Sequence, residues 1–480
     1  MSERPTFASM DPPLDPVVLK SLQINFGFES PTVIQSLAIP PLLRGQSVKA
    51  QAETGGGKTL SFLIPIVCRM RREKVKFNKI GTYAFVLTPT RELAQQIEGV
   101  LETLLKEFHG QITWSTVIGG TKRSQEATKL IVGANIVIAT PGRLLDHMQT
   151  AKDWTFTNVK VLCIDEADRV LENGFEDALN RIFALLPKKE SMQVMLFSAT
   201  NDHAKLADLE KVTSCFGTPV IISTMKHSSD VVDALTHGFV TVDPELKFLL
   251  LYTLLRKYSK QSQKVVVFFA SCNEVRFFAD LLNYIDIQCV PLHGQMKQTV
   301  RSTTFFQFCN TSSAILLTTD VAARGLDFPD VDWVVQFDPP DSVTKYVHRV
   351  GRTARGQGAI GNALLFLLPQ ETEGFLGMLT AHLTKPLKHF AFDEKKLSRA
   401  LQDELMSLVA KNYYLHRSAY EAYKSFLQSY ATMPLKSVFD VYKLDVAKVA
   451  RGFGLAQPPV VDLGLSESSL KKGRVKRARE

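Results

Sequence analysis

The sequence predicts an α/β protein built from two tandem parallel-sheet domains and a helical C-terminal extension. Three observations lead there. Short runs rich in Val, Ile and Leu alternate with helix-like stretches through the first half. The alternation restarts after a polar stretch from Ser223 to Ala234. From about Leu379 the pattern turns helical. A chain of 480 residues, 45% hydrophobic and 22% charged, is long enough and ordinary enough in composition for several full cores.

In order, the candidate strands of the first half are Ser47–Gln51, Tyr83–Leu87, Ser115–Ile118, Ile136–Ala139, Val159–Ile164 and Val194–Phe197. Val159–Ile164 is an apolar run that reads as a buried parallel strand. The second half offers Val265–Phe269, Gln288–Pro291, Ala314–Thr318, Trp333–Phe337 and Ala363–Leu367. Leu397–Lys411 and Ser418–Tyr430 carry helical periodicity, and Pro458-Pro459 closes that region. The expected division is 1–222 for the first domain, 223–236 for a linker, 237–378 for the second domain, 379–465 for the extension and 466–480 for a basic tail.

No apolar run approaches the ~20 residues a membrane helix needs. The N-terminal residues lack the apolar core of a signal peptide, so residence in the cytosol or nucleus is expected. The six cysteines are scattered without zinc-site spacing and read as reduced, buried thiols. Net charge is +9, of which the last ten residues carry +5. That tail reads as a solvated polyelectrolyte arm or a nuclear address, and any nucleic-acid site in the body must be local.

Two segments carry the strongest chemical signal. Gly55, Gly56 and Gly57 allow the backbone to approach phosphate oxygens and point N–H groups at them. Lys58 adds a point charge, Thr59 a hydroxyl for magnesium, and the helix that follows presents its N-terminus. Ala52 replaces the first Gly of the generic phosphate-loop pattern. Downstream, Asp165-Glu166-Ala167-Asp168 ends an apolar strand. Asp165 there can hold magnesium through water, and Glu166 can orient water or accept its proton. Together these segments indicate nucleotide hydrolysis.

Weaker segments gain meaning from that pair. Gln35 can bond adenine N6 and N7 together, and Phe7 can stack on the base or simply fill a core. Pro89-Thr90-Arg91, Gly119-Gly120 and Thr140-Pro141-Gly142-Arg143 each follow a strand, and such ends share one edge of a parallel sheet. Their hydroxyls, guanidiniums and glycine N–H groups suit a nucleic-acid backbone, although each alone is more often a helix cap. Ser198-Ala199-Thr200 follows another strand. In the second half, Thr318 to Asp327 offers hydroxyls and Arg324 for a phosphate backbone and Asp327 for a ribose hydroxyl. Arg352 and Arg355, three apart, suit one helical face aimed outward as arginine fingers.

This set, in this order from about Phe7 to Phe366, resembles the DEAD-box family of ATP-dependent RNA helicases. The resemblance implies two RecA-like domains joined by a flexible linker, with ATP and Mg2+ as cofactors and RNA crossing both domains. Closure on ATP and RNA bends one strand and separates a short duplex. It implies that Phe7 and Gln35 read adenine and that Thr54, Gly55, Gly56, Gly57, Lys58 and Thr59 cradle the phosphates. Thr59 and Asp165 would serve the metal, and Glu166 the water. Gly325, Asp327, Arg352 and Arg355 would complete the nucleotide site from the second domain. RNA contacts map to Pro89, Thr90, Arg91, Gly120, Thr140, Gly142 and Arg143, then to Gln298, Arg301, Thr319 and Asp320. Asp168, Ser198, Thr200 and His348 would couple hydrolysis to unwinding. Glu53 stands where the family has Gln and adds like-charge repulsion beside a triphosphate. Gly56 and Ala354 also depart from the commoner residues.

Phe337-Asp338-Pro339-Pro340-Asp341, Lys411-Asn412-Tyr413-Tyr414-Leu415-His416 and the stretch from Tyr430 to Pro459 are similar to a nucleolar subgroup. Those are the helicases associated with SET1 in yeast and the Myc-regulated DEAD-box proteins in animals. The likeness implies a monomer without membrane attachment, acting in the nucleolus on pre-rRNA and snoRNA duplexes with pre-ribosomal proteins, mainly for the large subunit. The extension would cap the second domain, either holding RNA or only clamping the fold. An ATP-gated RNA clamp or scaffold in pre-ribosome assembly is the alternative function.

Overall fold

The computed structural model describes residues 5–52, 55–74, 81–172, 174–187, 192–198, 218–224, 235–320, 328, 331–354, 361–383, 385–392 and 399–461. They form two compact units, one around each of two sheets.

The first sheet holds β1 (Val48–Gln51), β2 (Ala84–Leu87), β3 (Trp114–Val117), β4 (Ile136–Ala139), β5 (Val161–Ile164), β6 (Gln193–Ser198) and β7 (Val220–Ser223). Their spatial order is β3-β4-β2-β5-β6-β1-β7, and every pair is parallel. The second sheet holds β8 (Leu235–Thr241), β9 (Lys264–Phe269), β10 (Val290–Leu292), β11 (Ala314–Thr319), β12 (Trp333–Gln336), β13 (Gly361–Leu367) and β14 (Lys388–His389). Its order is β10-β11-β9-β12-β13-β8-β14, again all parallel. Renumbered from its own first strand, the second sheet repeats the order of the first.

The strands β1, β2, β4, β5 and β9 are buried at every residue, which explains the unbroken apolar runs of β2, β4 and β5, while β1 and β9 also bury Lys49, Gln51 and Lys264. Two cores flank the first sheet. One packs Phe62, Ile64 and Val67 of the helix Lys58–Arg72 under β1 and β6. The other packs Leu144, Ile182 and Phe183 against the opposite face. Cys68, Cys163 and Cys289 are buried free thiols, as expected, Cys272 and Cys309 are half-buried, and Cys215 lies outside the described residues.

Three strands are absent from the sequence expectation. β7 is a four-residue edge strand, β14 has two residues, and β8 interrupts its apolar pattern with Thr236, His237 and Gly238. The expected linker is therefore bounded differently: Ser223 closes β7 and Leu235 opens β8. Residues 225–234 and 462–480, which include the expected basic tail of 466–480, lie outside the described residues. The helix expected over Ser418–Tyr430 runs from Tyr413 to Thr432, because Asn412 caps it by accepting from the N–H groups of Tyr414 and Leu415. The preceding helix spans Arg399–Lys411.

The extension is part of the second unit. Phe453 is 5% exposed and its ring lies 5.4–6.1 Å from those of Phe277, Phe278, Tyr423 and Phe426. Lys448 pairs with Asp243 at 2.8 Å and Arg451 with Glu245 at 2.9 Å, just beyond the end of β8. Lys247 is buried between sheet and extension, 2.8 Å from Asp338, with the Phe337 ring at 4.3 Å and the Phe426 ring at 5.6 Å. Burial, and then the Asp338 charge, push the neighbouring Glu274 carboxyl well above its usual range. Among the described residues no helix is long and apolar enough to cross a membrane. Phe453→Ala should lower the stability of the second unit by about 3–5 kcal/mol, read from chemical denaturation.

Candidate nucleotide and RNA site

In the first unit the strand ends divide the site into two halves of one sheet edge. β5, β6 and β1 are adjacent and deliver Asp165–Asp168, Ser198 and the phosphate loop. β3, β4 and β2 are adjacent and deliver Gly119-Gly120, Thr140–Arg143 and Pro89–Arg91.

The phosphate loop leaves β1 and enters the helix Lys58–Arg72 at Gly57, whose φ is +93°. A Cβ on Gly57 would sit 2.6 Å from Gln35 Nε2, so glycine is required for conformation and for space. Gln35 is buried and braces this loop. Its Nε2 donates to the Gly57 carbonyl at 3.1 Å and its Oε1 accepts from Thr32 N–H at 2.9 Å. A primary amide has two N–H groups and two carbonyl lone pairs, so one of each is left for an adenine edge. Thr32 Oγ1 adds a bond to the Gly56 carbonyl at 2.8 Å. Sequence reasoning passed over Thr32, although Thr32-Val33-Ile34-Gln35 has the spacing of a capping box.

Phe7 requires a correction. Its ring is 1% exposed and belongs to the core of the first unit, so it packs rather than offering a face to a base. Its N–H donates to the Glu29 carbonyl at 2.9 Å, which ties this N-terminal turn to the segment carrying Gln35.

The charged centre is dry. Lys58 is 8% exposed, Asp165 3%, Glu166 6%, Asp168 2% and Arg169 2%. Lys58 Nζ donates to the Ala52 carbonyl at 2.7 Å. Burial lowers its pKa, opposed by the charges of Asp165, Glu166 and Asp168. Burial pushes Asp165 up to about 7, with Glu166 adding to the rise and Lys58 opposing it. Glu166 has φ +48° at the strand end, and its Oε2 lies 3.3 Å from Arg169 Nη1. Arg169 carries no motif signal of its own, being one basic side chain after an acidic tetrad. Ser198 is buried opposite Gln51, where β6 meets β1. Glu53, Thr54 and Thr200 lie outside the described residues.

In the other half, Thr90 caps its helix by accepting from Leu93 N–H at 3.3 Å, and Arg91 is exposed. Gly120 and Gly142 are exposed, and Pro89 and Thr140 are covered. Arg143 is held inside the unit, with Nε 2.7 Å from Glu126 Oε2 and Nη2 donating to the Thr121 carbonyl at 2.9 Å.

The second unit places Thr319 and Asp320 at the end of β11. Gln298 and Arg301 open the helix Gln298–Asn310 that follows β10, the strand next to β11. Arg349 grips Asp320 in a bidentate pair at 2.6 and 2.7 Å and donates to the Asp338 carbonyl at 2.6 Å. That fixes the helix Val343–Val350, which carries His348, against the strand ends. The expectation of one outward helical face for Arg352 is not met. The helix stops at Val350 with Gly351 as its cap, and Arg352 is 4% exposed with its guanidinium 5.5 Å over the Phe328 ring. Gly325, Asp327 and Arg355 lie outside the described residues.

Known proteins match this arrangement. Residues 32–209 match the DEAD/DEAH box helicase family and 246–357 the helicase conserved C-terminal domain. Residues 412–461 match the C-terminal extension of SPB4-like ATP-dependent rRNA helicases. The ATP-dependent RNA helicase HAS1 of Saccharomyces cerevisiae is 48% identical over 451 residues, covering 94% of this chain and 87% of that protein. The chain belongs to the DEAD-box ATP-dependent RNA helicases. The has1 helicase of Schizosaccharomyces pombe is also 48% identical, covering 95% of this chain and 77% of its own length. Among solved structures, Mss116p bound to ssRNA and AMP-PNP superposes on this helicase with a TM-score of 0.83. That match has 26% identity and covers 99% of this chain and 96% of the other. S. cerevisiae Dbp5 bound to RNA and ADP BeF3 gives 0.68 at 26% identity, covering 80% and 95%.

The raised Asp165 pKa has a defined sign in stability. The folded value of about 7 exceeds the ordinary 3.8, so the folded helicase holds this proton more tightly than the unfolded chain. The stabilisation is full below about pH 4 and is lost as pH rises through about 7. In melting experiments without nucleotide, the wild type should therefore lose several degrees relative to Asp165→Asn between these limits. Nucleotide with magnesium should shrink that loss.

Proposed function

We propose that this helicase couples ATP hydrolysis to the local separation of short duplexes in pre-ribosomal RNA, within the nucleus and nucleolus. Its partners would be pre-rRNA, snoRNA duplexes and pre-ribosomal proteins, mainly of the large subunit. The observation that carries the reading is the divided sheet edge. A nucleotide half on β5, β6 and β1 adjoins an RNA half on β3, β4 and β2, in a chain ending in an rRNA-helicase type extension.

On this reading Gln35 bonds the adenine edge while steadying the loop, and the N–H groups of Gly55 to Gly57 face the phosphates. Lys58 meets the triphosphate with a desolvated ammonium, so its attraction is stronger than in water. Thr59 and Asp165 would hold magnesium. The fit rests on Asp165, a carboxyl buried at a strand end beside Glu166, where burial and that neighbouring charge disfavour the anion and a cation would offset both. Magnesium commonly takes one or two protein ligands and fills the rest with water and phosphate oxygens, and there it would neutralise phosphate charge. Glu166, oriented by Arg169, accepts the proton of the attacking water. From the second half of the chain we assign Arg352 and Arg355 to the phosphates and Asp327 to the ribose, and for coupling we assign Asp168, Ser198 and Thr200 of the first half together with His348 of the second.

RNA would run over Thr90, Arg91, Gly120, Thr140 and Gly142 in the first unit and Gln298, Arg301, Thr319 and Asp320 in the second. Contacts through hydroxyls and backbone N–H groups are blind to base sequence, which suits an enzyme that opens duplexes of varied sequence.

Glu166→Gln should lower RNA-stimulated ATP hydrolysis by at least about 100-fold and abolish multiple-turnover strand separation while ATP still binds. In a depletion-and-rescue test the same variant should leave pre-rRNA unprocessed. Normal processing by a variant that has lost hydrolysis would instead identify an ATP-gated clamp in pre-ribosome assembly.

A further inference from the structure

We propose that Glu126 is a positioning residue for RNA, the single side chain that sets the relative placement of the RNA-facing turns of the first unit. The inference rests on the reading that the ends of β2, β3 and β4 meet the RNA backbone. Glu126 lies in the first turn of the helix Arg123–Gly133, and no motif of the family resemblance includes it.

Its carboxylate is 5% exposed and binds groups from three separate segments. Oε1 accepts from the Ile118 N–H at 3.1 Å, at the end of β3, and from the Thr121 hydroxyl. Oε2 meets Arg143 Nε at 2.7 Å and His147 Nε2 at 2.8 Å, both on the helix that follows β4. Each oxygen thus has two partners, which matches the roughly four acceptor positions of a carboxylate. Burial alone would raise its pKa. The bonds from His147, Thr121, Arg143 and Ile118 outweigh burial and hold it down at about 2, so the group is ionised at any working pH.

The network closes on itself. Arg143 Nη2 donates to the Thr121 carbonyl at 2.9 Å, and the Thr121 hydroxyl lies 2.6 Å from the Ile118 carbonyl. The glycine turn of residues 119–120 is thereby clamped between Ile118 and Thr121. That turn seats Arg91 in its turn, since a Cβ on Gly119 would stand 2.8 Å from Arg91 Nη2. One buried carboxylate therefore locates Gly120, the seat of Arg91 and the helix start bearing Gly142. A negative charge this near an RNA path would repel phosphate if left bare, and Arg143 and the backbone dipoles cancel it. Arg143 thus acts chiefly on Glu126, and its effect on RNA passes through the shape of the turn.

The test uses the full-length protein and ATP hydrolysis titrated with single-stranded poly(U) RNA. Glu126→Gln keeps the shape but turns an amide N–H toward a place that needs an acceptor. The RNA concentration for half-maximal stimulation should rise at least about tenfold, the scale of a lost charge-assisted contact. The rate at saturating RNA and the KM for ATP should stay within about twofold, a split that general loss of stability would not produce. Thr121→Val removes one bond and no charge, and should give a rise of about threefold. It carries the test if Glu126→Gln fails to fold. A half-saturating RNA concentration within twofold of wild type in a folded Glu126→Gln protein, or in Thr121→Val if only that folds, overturns the proposal. So does a lower rate with unchanged RNA affinity. If the wild type itself shows no stimulation by RNA, the RNA reading of the edge fails, and the inference with it.

Discussion

Parallel pairing is the constraint on which the rest depends. Because every strand of each sheet runs the same way, every strand releases its chain at the same edge. Chemistry scattered over more than a hundred residues of sequence is gathered there without any long-range motif. The order of strands then sorts it. The boundary between the candidate nucleotide half and the candidate RNA half falls between β2 and β5, and the Asp165 N–H donates to the Leu87 carbonyl at 2.9 Å across that boundary. The metal-binding candidate and the turn leading to Arg91 are therefore neighbours in one hydrogen-bonded ladder.

The second constraint is dryness. Five charged side chains at the phosphate loop and the acidic tetrad are each less than 9% exposed. Such burial is tolerable only because cations and anions alternate, with Lys58 facing the carboxylates and Arg169 against Glu166. The frustration left over appears on Asp165, which carries the raised pKa. A site of this kind is incomplete by its own electrostatics and is satisfied by an incoming charged ligand, in a medium where each contact is stronger than in water.

Much of this was legible in the sequence. Eleven strands were placed within two residues, most of them because buried parallel strands are rich in apolar and β-branched residues. The glycine loop and the acidic tetrad were legible because phosphate and metal chemistry demands particular residues in local order. Short edge strands were not, since β7 runs for four residues and β14 for two. Phe7 was misread because a buried and a base-stacking aromatic have the same sequence signature. Arg352 was misread because three-residue spacing implies a shared face only while the helix continues, and here it ends at Val350. Glu126 left no signal, since its partners sit 5 to 21 residues away and meet only once β3 and β4 are paired.

The shared strand order of the two sheets gives the docked extension a further meaning. By position, β8 corresponds to β1 and β12 to β5. Lys247 opens the helix after β8 as Lys58 opens the helix after β1, and Asp338 follows β12 much as Asp165 follows β5. In the second unit that lysine and aspartate neutralise each other directly at 2.8 Å. Phe426 lies over the pair, and Gly452 fits so closely that a Cβ there would meet the Pro244 carbonyl oxygen at 2.5 Å. The position in the second unit that corresponds to the candidate phosphate loop of the first is thus covered by the chain's own C-terminal segment.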